Sequence, residues 1–579
     1  MRMRSNPLHI PWYGARLEAL MRVLSCVLFA LVFSLRFVSG AEAQFEPMRD
    51  GFGFQNYTNE SMPVNLTPVE IWRMFGDGVC SSGSGSGCPL SPQAHQWMER
   101  QSTAMAGGHC EGMAVLATRL FDGTSDRSMF GGSVTFAMML DVPLQREIGY
   151  WWATQAVPQV SRATLRGAPS GIVAMVRAAA ASGNFPFTIG VTKRNGTGGH
   201  AITPYGLVDV DAMNVDILVY DNNFPGEARR VSVNLMTETW SYSAAASPDV
   251  PESLYDGNAM TNSLELIPMS ARNGVLDCPF CGSFSSGAPG GRTVAATGDA
   301  SILIVDGAGN RLGHAADGSV VNDISGADVM TTRSADLWND RSEPSYTLPG
   351  GMGFDVYLSD GGYGLADPSI LSVEGPGYYL GVEDVVIDVG QEDIISFQAD
   401  TAYLGYETSG METPDIVIAA QTASADWAFV VRSRGDTGGQ RIEASVDFTT
   451  QTLVLRFEGA DAESEFDLFA ARVDGGTEIE FASDMIVVPN AAVLSVYFGD
   501  YDTDGEALAI SVDTDGDGVE DDSLAVADTG DMGIGPGTGT TTTPPASGGC
   551  SASRGRGTTP MAMVLVGVLL TLVRRRRRR

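Results

Sequence analysis

Lysine is nearly missing from this chain: Lys193 is the only one among 579 residues, and every other basic side chain is an arginine. The formal net charge is −34. The two ends hide part of the acidity, because residues 1–43 hold five arginines and the stretch after Cys550 holds eight and no acid. Between them stand 23 basic and 68 acidic residues. Such a surface repels nucleic acid and anionic lipid, so nucleic acid is excluded as a partner. It suits solubility, including in salty water, and weak binding of divalent cations.

Other absences narrow the reading further. A second CxxC does not accompany Cys278-Pro-Phe-Cys281, which weakens a zinc site, and no thioredoxin-like βαβ pattern flanks it, which weakens a redox pair. A local disulfide is the expectation that remains. Beyond residue 292 helix-period segments are missing, and short apolar runs separated by Gly, Asp and Asn take their place. A chain this long exceeds one core, so several domains are expected.

The two ends read as addresses. Leu24 to Leu35 is an apolar run after Arg16 and Arg22, and Ala41-Glu42-Ala43 gives a small-residue cleavage pattern. Residues 1–43 are therefore expected to be a secretory signal peptide, and the protein to be exported. At the other end, 531–558 is a Gly/Thr/Pro linker containing Cys550, and 559–579 is a short apolar segment ending in six arginines. Fourteen apolar residues span about 21 Å, short for a stable membrane helix, and the arginines are expected to stay on the cytoplasmic side. Linker, lone cysteine, short apolar segment and arginine run together resemble the myxobacterial-type C-terminal sorting tail (MYXO-CTERM). The resemblance implies a transmembrane helix that anchors the chain at first, a C-terminal sorting protease acting near Cys550, and display at the cell surface or outer membrane.

Export permits disulfides. Cys26 leaves with the signal, and Cys550 belongs to the tail. Cys80 and Cys88 flank Ser-Ser-Gly-Ser-Gly-Ser-Gly, flexible enough to close a small loop, and are expected to pair. Pairing Cys278 with Cys281 then leaves Cys110 alone.

Cys110 lies in Gly107-Gly108-His109-Cys110-Glu111-Gly112-Met113, where glycines run into a helical pattern marked by Met113, Leu116, Ala117 and Leu120. A thiol at a helix start tends to ionise, and the thiolate is the nucleophile. Ninety residues on, His200 opens a strand-like run. A turn at 211–214 returns the chain to Asp221-Asn222-Asn223. Centring that turn on Ala212 and Met213 places Asp221 on the face of His200. A turn one residue different would choose Asn222. Pro204 predicts an edge or an irregularity there. His109 is expected to pack locally or touch substrate, and Glu111 to oppose thiolate formation by like charge.

Cysteine, then histidine, then an acid or amide, in this order and with these local residues, resembles the papain-like cysteine peptidase superfamily. The resemblance covers roughly 200 residues and implies an α+β fold, Cys110 as nucleophile, His200 as base, and Asp221 or Asn222 as the group that orients it. Hydrolysis of a peptide or amide through a thioester then needs no cofactor. The oxyanion is expected to be met by the Cys110 N–H, with Gln101 and Gln96 as the nearest side-chain candidates, neither at the usual spacing.

The expected architecture is multidomain: a papain-like α+β domain over 44–275, a linker over 276–292, and all-β sandwich-like modules over 293–400 and 401–530. The second module carries Asp513, Asp515, Asp517, Val519 and Asp521, whose alternating oxygens and intervening glycines suit a hard cation such as calcium. The segment resembles an EF-hand or thrombospondin-type loop, but Leu524 stands where an EF-hand needs glutamate. The function expected is a surface-displayed cysteine peptidase-like protein acting on peptides or proteins. The alternatives are a non-enzymatic adhesion or binding protein with a degenerate peptidase domain, and an amidase or acyl transferase on the same scaffold.

Overall fold

The computed structural model describes residues 44–530 apart from 60–63, 245–253, 285–290, 299, 316–319, 335–342, 361–367, 400, 436–438, 475–476 and 502–505. The expected signal peptide, Cys550, the linker around it and the sorting segment lie outside the described residues. Among those described, no helix is long and apolar enough to cross a membrane.

The first part of the chain is helical, then β. Helices α1 (Pro68–Phe75), α2 (Pro92–Ala104), α3 (Cys110–Phe121), α4 (Val142–Ala153) and α5 (Pro169–Ser182) precede seven strands. These are β1 (Phe187–Val191), β2 (His200–Asp209), β3 (Asn214–Tyr220), β4 (Ala228–Asn234), β5 (Thr239–Ser243), β6 (Leu254–Asn258) and β7 (Leu264–Pro268). They form one antiparallel sheet in the order β6-β5-β4-β3-β2-β1-β7.

Local chemistry explains the helix ends. Thr67 and Glu70 make a capping box with Pro68 in the first turn of α1, and Asp141 caps α4 through the Leu144 N–H. Gly183 ends α5 in the left-handed conformation. One face of α5 (Ile172, Val173, Val176) packs with Ile189, Ile202, Val219 and Leu266 of the sheet. Residues 134–140 are irregular, with one tight turn at Thr135–Ala137.

Expected linker residues 276–284 are packed rather than free. Phe280 sits against Phe75 and Trp97, and its carbonyl accepts the Gly377 N–H. Cys278 is bonded to Cys281, and Cys80 to Cys88.

From residue 292 onward the chain is β. An eleven-stranded sheet runs from Val320–Asn322 to Asp522–Ala527, and a nine-stranded sheet from Asp328–Met330 to Thr477–Pro489. Strands from both sides of residue 400 pair within each sheet: Glu392–Phe397 with Ala402–Thr408 in the first, Tyr378–Val385 with Asp415–Gln421 in the second. Segments 293–400 and 401–530 thus contribute to the same two sheets and share one apolar core, including Ile304, Val356, Leu404, Ile418, Phe429, Leu455 and Ile510. Alternation of buried residues with half-buried or exposed ones along Phe354–Ser359 and Gln440–Asp447 marks strands with one face in that core. Ser369–Gly375 is buried throughout, because α2 packs on the outer face of the nine-stranded sheet and its Arg100 meets Glu374 at 2.8 Å.

Candidate active site

Cys110 is the first residue of α3 and the free cysteine among those described. His200 is the first residue of β2, and Asp221 directly follows β3. All three are fully buried. His200 Nε2 lies 2.8 Å from Asp221 Oδ1. Nδ1 makes no hydrogen bond of regular geometry, yet Cys110 lies within its reach, so that contact is loose. Such contacts at empty sites commonly tighten with substrate.

The sheet register explains why Asp221 meets the ring. Asp209 pairs with Val215 and Gly206 with Leu218, one residue off a turn centred on Ala212 and Met213. By itself this offset turns Asn222 toward His200. A bulge between Pro204 and Gly206 then shifts the register again, so that Thr203 pairs with Tyr220. The two offsets add to two residues, one full side-chain period, and Asp221 returns to the face of His200. The irregularity at Pro204 is therefore real, although β2 is an interior strand.

Asn222 does different work. Its Nδ2 donates to the Cys110 carbonyl (3.0 Å) and to the Ala201 carbonyl (3.1 Å), fixing the start of α3 against β2. His109 anchors rather than reacts: Nδ1 lies 2.7 Å from the Tyr57 carbonyl and Nε2 2.8 Å from Asn65 Oδ1, with the ring stacked on Tyr57. Burial lowers its pKa to about 4, against the Tyr57 carbonyl, which raises it.

Electrostatics set the site's charge. Burial pushes the Cys110 thiol up, and the His200 ring and the Ala201 N–H pull the other way without cancelling it. Burial opposes a charged His200, yet Asp221 and Cys110 hold its pKa well above the ordinary value. Burial would raise Asp221 too, but His200, the Tyr242 hydroxyl and the Asn223 N–H keep it below the usual carboxylate value.

Several participants carried no sequence signal. Tyr242 Oη donates to Asp221 Oδ2 from β5, two strands away from β3. Glu111 raises the Cys110 thiol by like charge, as expected, and is itself held by Arg272 in a fully buried pair. Arg272 also donates to Thr154. Gln101 lines a cavity of about 370 Å³ with Gly107, Trp152 and Gln155, and its Nε2 is buried without a partner. Gln96 is buried elsewhere on α2 and does not line that cavity.

The acidic loop is separate from this site. Carboxylate oxygens of Asp513, Asp515 and Asp521 lie within 4.8 Å of one another. Asp513 accepts the Gly516 and Gly518 N–H groups, while Asp517 accepts the Val519 N–H and stands outside the group of three.

Comparison with family models, with curated proteins and with solved structures finds no match for this chain. The functional reading therefore stands on the geometry of its own residues.

Proposed function

We propose that the α+β domain is a papain-like cysteine hydrolase acting on peptide or amide bonds. The observation that carries this is the convergence of an unbonded Cys110 at a helix start with a histidine whose far nitrogen is held by a buried aspartate. His200 takes the thiol proton, and the sulfur attacks the carbonyl carbon. The Cys110 N–H, with Gln101 as the side-chain candidate, meets the oxyanion. His200 returns the proton to the leaving amine, leaving a thioester on Cys110. A water, deprotonated by His200, hydrolyses the thioester to acid and free thiol.

The rest of the proposal follows the sequence reading: export by residues 1–43, display through the C-terminal tail, and the β-sandwich as the body that carries the hydrolase domain. Calcium at Asp513, Asp515 and Asp521 would stiffen the sandwich rather than take part in catalysis. The complete burial of Cys110 and His200 favours one other reading, a degenerate domain that only binds.

The test is peptide hydrolysis by the full chain, with mass-spectrometric trapping of an acyl group on Cys110. Acylation lost in His200→Ala supports the hydrolase. Amine acceptors added to the same assay would divert the acyl group if the enzyme is a transferase. A Cys110 that never acylates and alkylates like a free thiol leaves the binding reading.

A further inference from the structure

The candidate site is closed by the chain's own β region. After strand Asp328–Met330 of the nine-stranded sheet, residues 331–334 run extended beside Gly199, the residue before His200. Gly199 and Arg333 form a parallel bridge, and the Ser334 N–H donates to the Gly199 carbonyl at 3.0 Å. Gln155 grips the main chain of Arg333 from both sides: its Oε1 accepts the Arg333 N–H at 2.6 Å, and its Nε2 donates to the Arg333 carbonyl at 3.2 Å. Thr331 and Thr332 line the same cavity as Gln101 and Gly107, and Gly107 is three residues before Cys110 in the chain.

The Arg333 side chain enters an acidic pocket. Its guanidinium meets Glu265, which also accepts from Arg166 at 2.6 Å. Two glycines make the room. A Cβ on Gly190 would lie 2.4 Å from Arg333 Nε, and one on Gly199 would lie 2.1 Å from the Thr332 carbonyl oxygen. Ordinary interface packing does not require an amide that reads both main-chain groups of one residue. Pairing an extended segment through its main chain, with a pocket for one side chain, is how proteins bind peptides. A buried carboxylate facing that side chain selects arginine.

We propose that the groove formed by Gln155, Gly190, Gly199 and Glu265 is the substrate channel of the Cys110–His200 site, that it takes an extended peptide bearing an arginine, and that residues 331–334 of the same chain fill it and hold the site closed. This rests on the hydrolase reading of Cys110 and His200. It adds a substrate class and an internal inhibitor, so that activity requires the segment to leave.

The experiment follows iodoacetamide labelling of Cys110 in the full chain by mass spectrometry. Gln155→Ala removes the grip from the groove side and Arg333→Ala from the segment side. Each is expected to speed labelling about tenfold or more, the loss of a buried charge-assisted or paired hydrogen bond. Added Thr-Thr-Arg-Ser peptide should slow labelling of the Arg333→Ala chain again, and Thr-Thr-Glu-Ser should not. Labelling at the wild-type rate in both variants overturns the closure, and equal protection by the two peptides overturns the arginine preference. Should the variants unfold, the wild-type chain decides. Its labelling must outpace global unfolding and track hydrogen exchange of a peptide spanning 331–334; labelling only at the global unfolding rate overturns the proposal. The two readings fail separately. Faster labelling whose pH profile ignores an added His200→Ala keeps the channel and removes the hydrolase. Peptide hydrolysis by wild type with unchanged labelling in the variants does the reverse.

Discussion

The two halves of this molecule bury very different chemistry in similar antiparallel sheets. Between its two sheets the sandwich buries a single apolar core from Val294 to Val512. Around β2 and β3 the α+β domain instead buries His200, Asp221, Asn222, Glu111, Arg272 and Glu265, each at 2% exposure or less. Burying charge is costly unless it is paired and hydrogen-bonded. In the sandwich, buried charges such as Glu374 and Asp415 sit on the outer face of one sheet, opposite Arg100 and Arg432. Both halves therefore bury charge, and the comparison teaches that in the α+β domain the buried polar groups gather around a nucleophile, a base and an acid.

The sharpest way to break that comparison is to remove the sulfur. Cys110→Ala should abolish peptide hydrolysis, by on the order of a thousandfold or more. Its melting temperature should change little, because the side chain shrinks by one atom among Ala114 and Ala201. Hydrolysis that survives the substitution would place the chemistry elsewhere.

Next comes charge removal. Arg272 and Glu111 are both 0% exposed, whereas Arg441 and Glu407 on the sandwich surface are 42% and 54% exposed. Arg272→Ala strands a buried carboxylate and should cost about 3–5 kcal/mol in urea unfolding. Arg441→Ala should cost less than about 1 kcal/mol. Equal losses would mean that the α+β domain does not depend on its buried charges.

Histidines give the two halves opposite responses to pH. His109 has a folded pKa of about 4, so the unfolded chain binds more protons between about 6.5 and 4. Its contribution is complete above about pH 6.5 and falls away on acidification, by on the order of 3 kcal/mol. His314, on a sandwich strand, is held above its ordinary value: burial opposes its charge, but Glu343 at 2.9 Å outweighs burial. Its contribution is present below about pH 6.5 and is lost as pH rises through the folded value. Urea titrations of His109→Gln and His314→Gln between pH 4 and 8 should show the acid-side loss missing from the first and the alkaline-side loss missing from the second.

Much of this contrast was legible in the residues, and the rest was invisible for physical reasons. Glycines running into an apolar helical pattern placed Cys110 at a helix start, and the sheet spacing brought Asp221 to His200. That second inference used the wrong turn centre, and the bulge after Pro204 compensated for it; neither offset has a composition signal. Strand pairing across residue 400 was also hidden, because local alternation reports a strand and its faces but not its partners. Arg272, Tyr242 and Gln155 lie 45 to 162 residues from Cys110 in the sequence, so no spacing rule reaches them. Helix α4 was missed because Pro143 and Gly149 interrupt its pattern, though Pro sits harmlessly in its first turn.

The smallest effect sharpens the comparison most. Each half contains a buried tyrosine hydroxyl that donates to a buried aspartate: Tyr242 to Asp221 in the α+β domain, and Tyr406 to Asp393 at 2.6 Å in the sandwich. Removing either hydroxyl as Phe should cost about 2 kcal/mol, the worth of a hydrogen bond to a charged group. The sandwich variant should change nothing else. In Tyr242→Phe, Asp221 loses one of the donors that keep it ionised, so it protonates at higher pH and releases His200 sooner on acidification. The acid limb of Cys110 labelling should therefore move upward in pH in Tyr242→Phe and stay in place in Tyr406→Phe. If both variants lose stability alike and neither moves that limb, Tyr242 merely packs, and the two buried pairs are equivalent despite their surroundings.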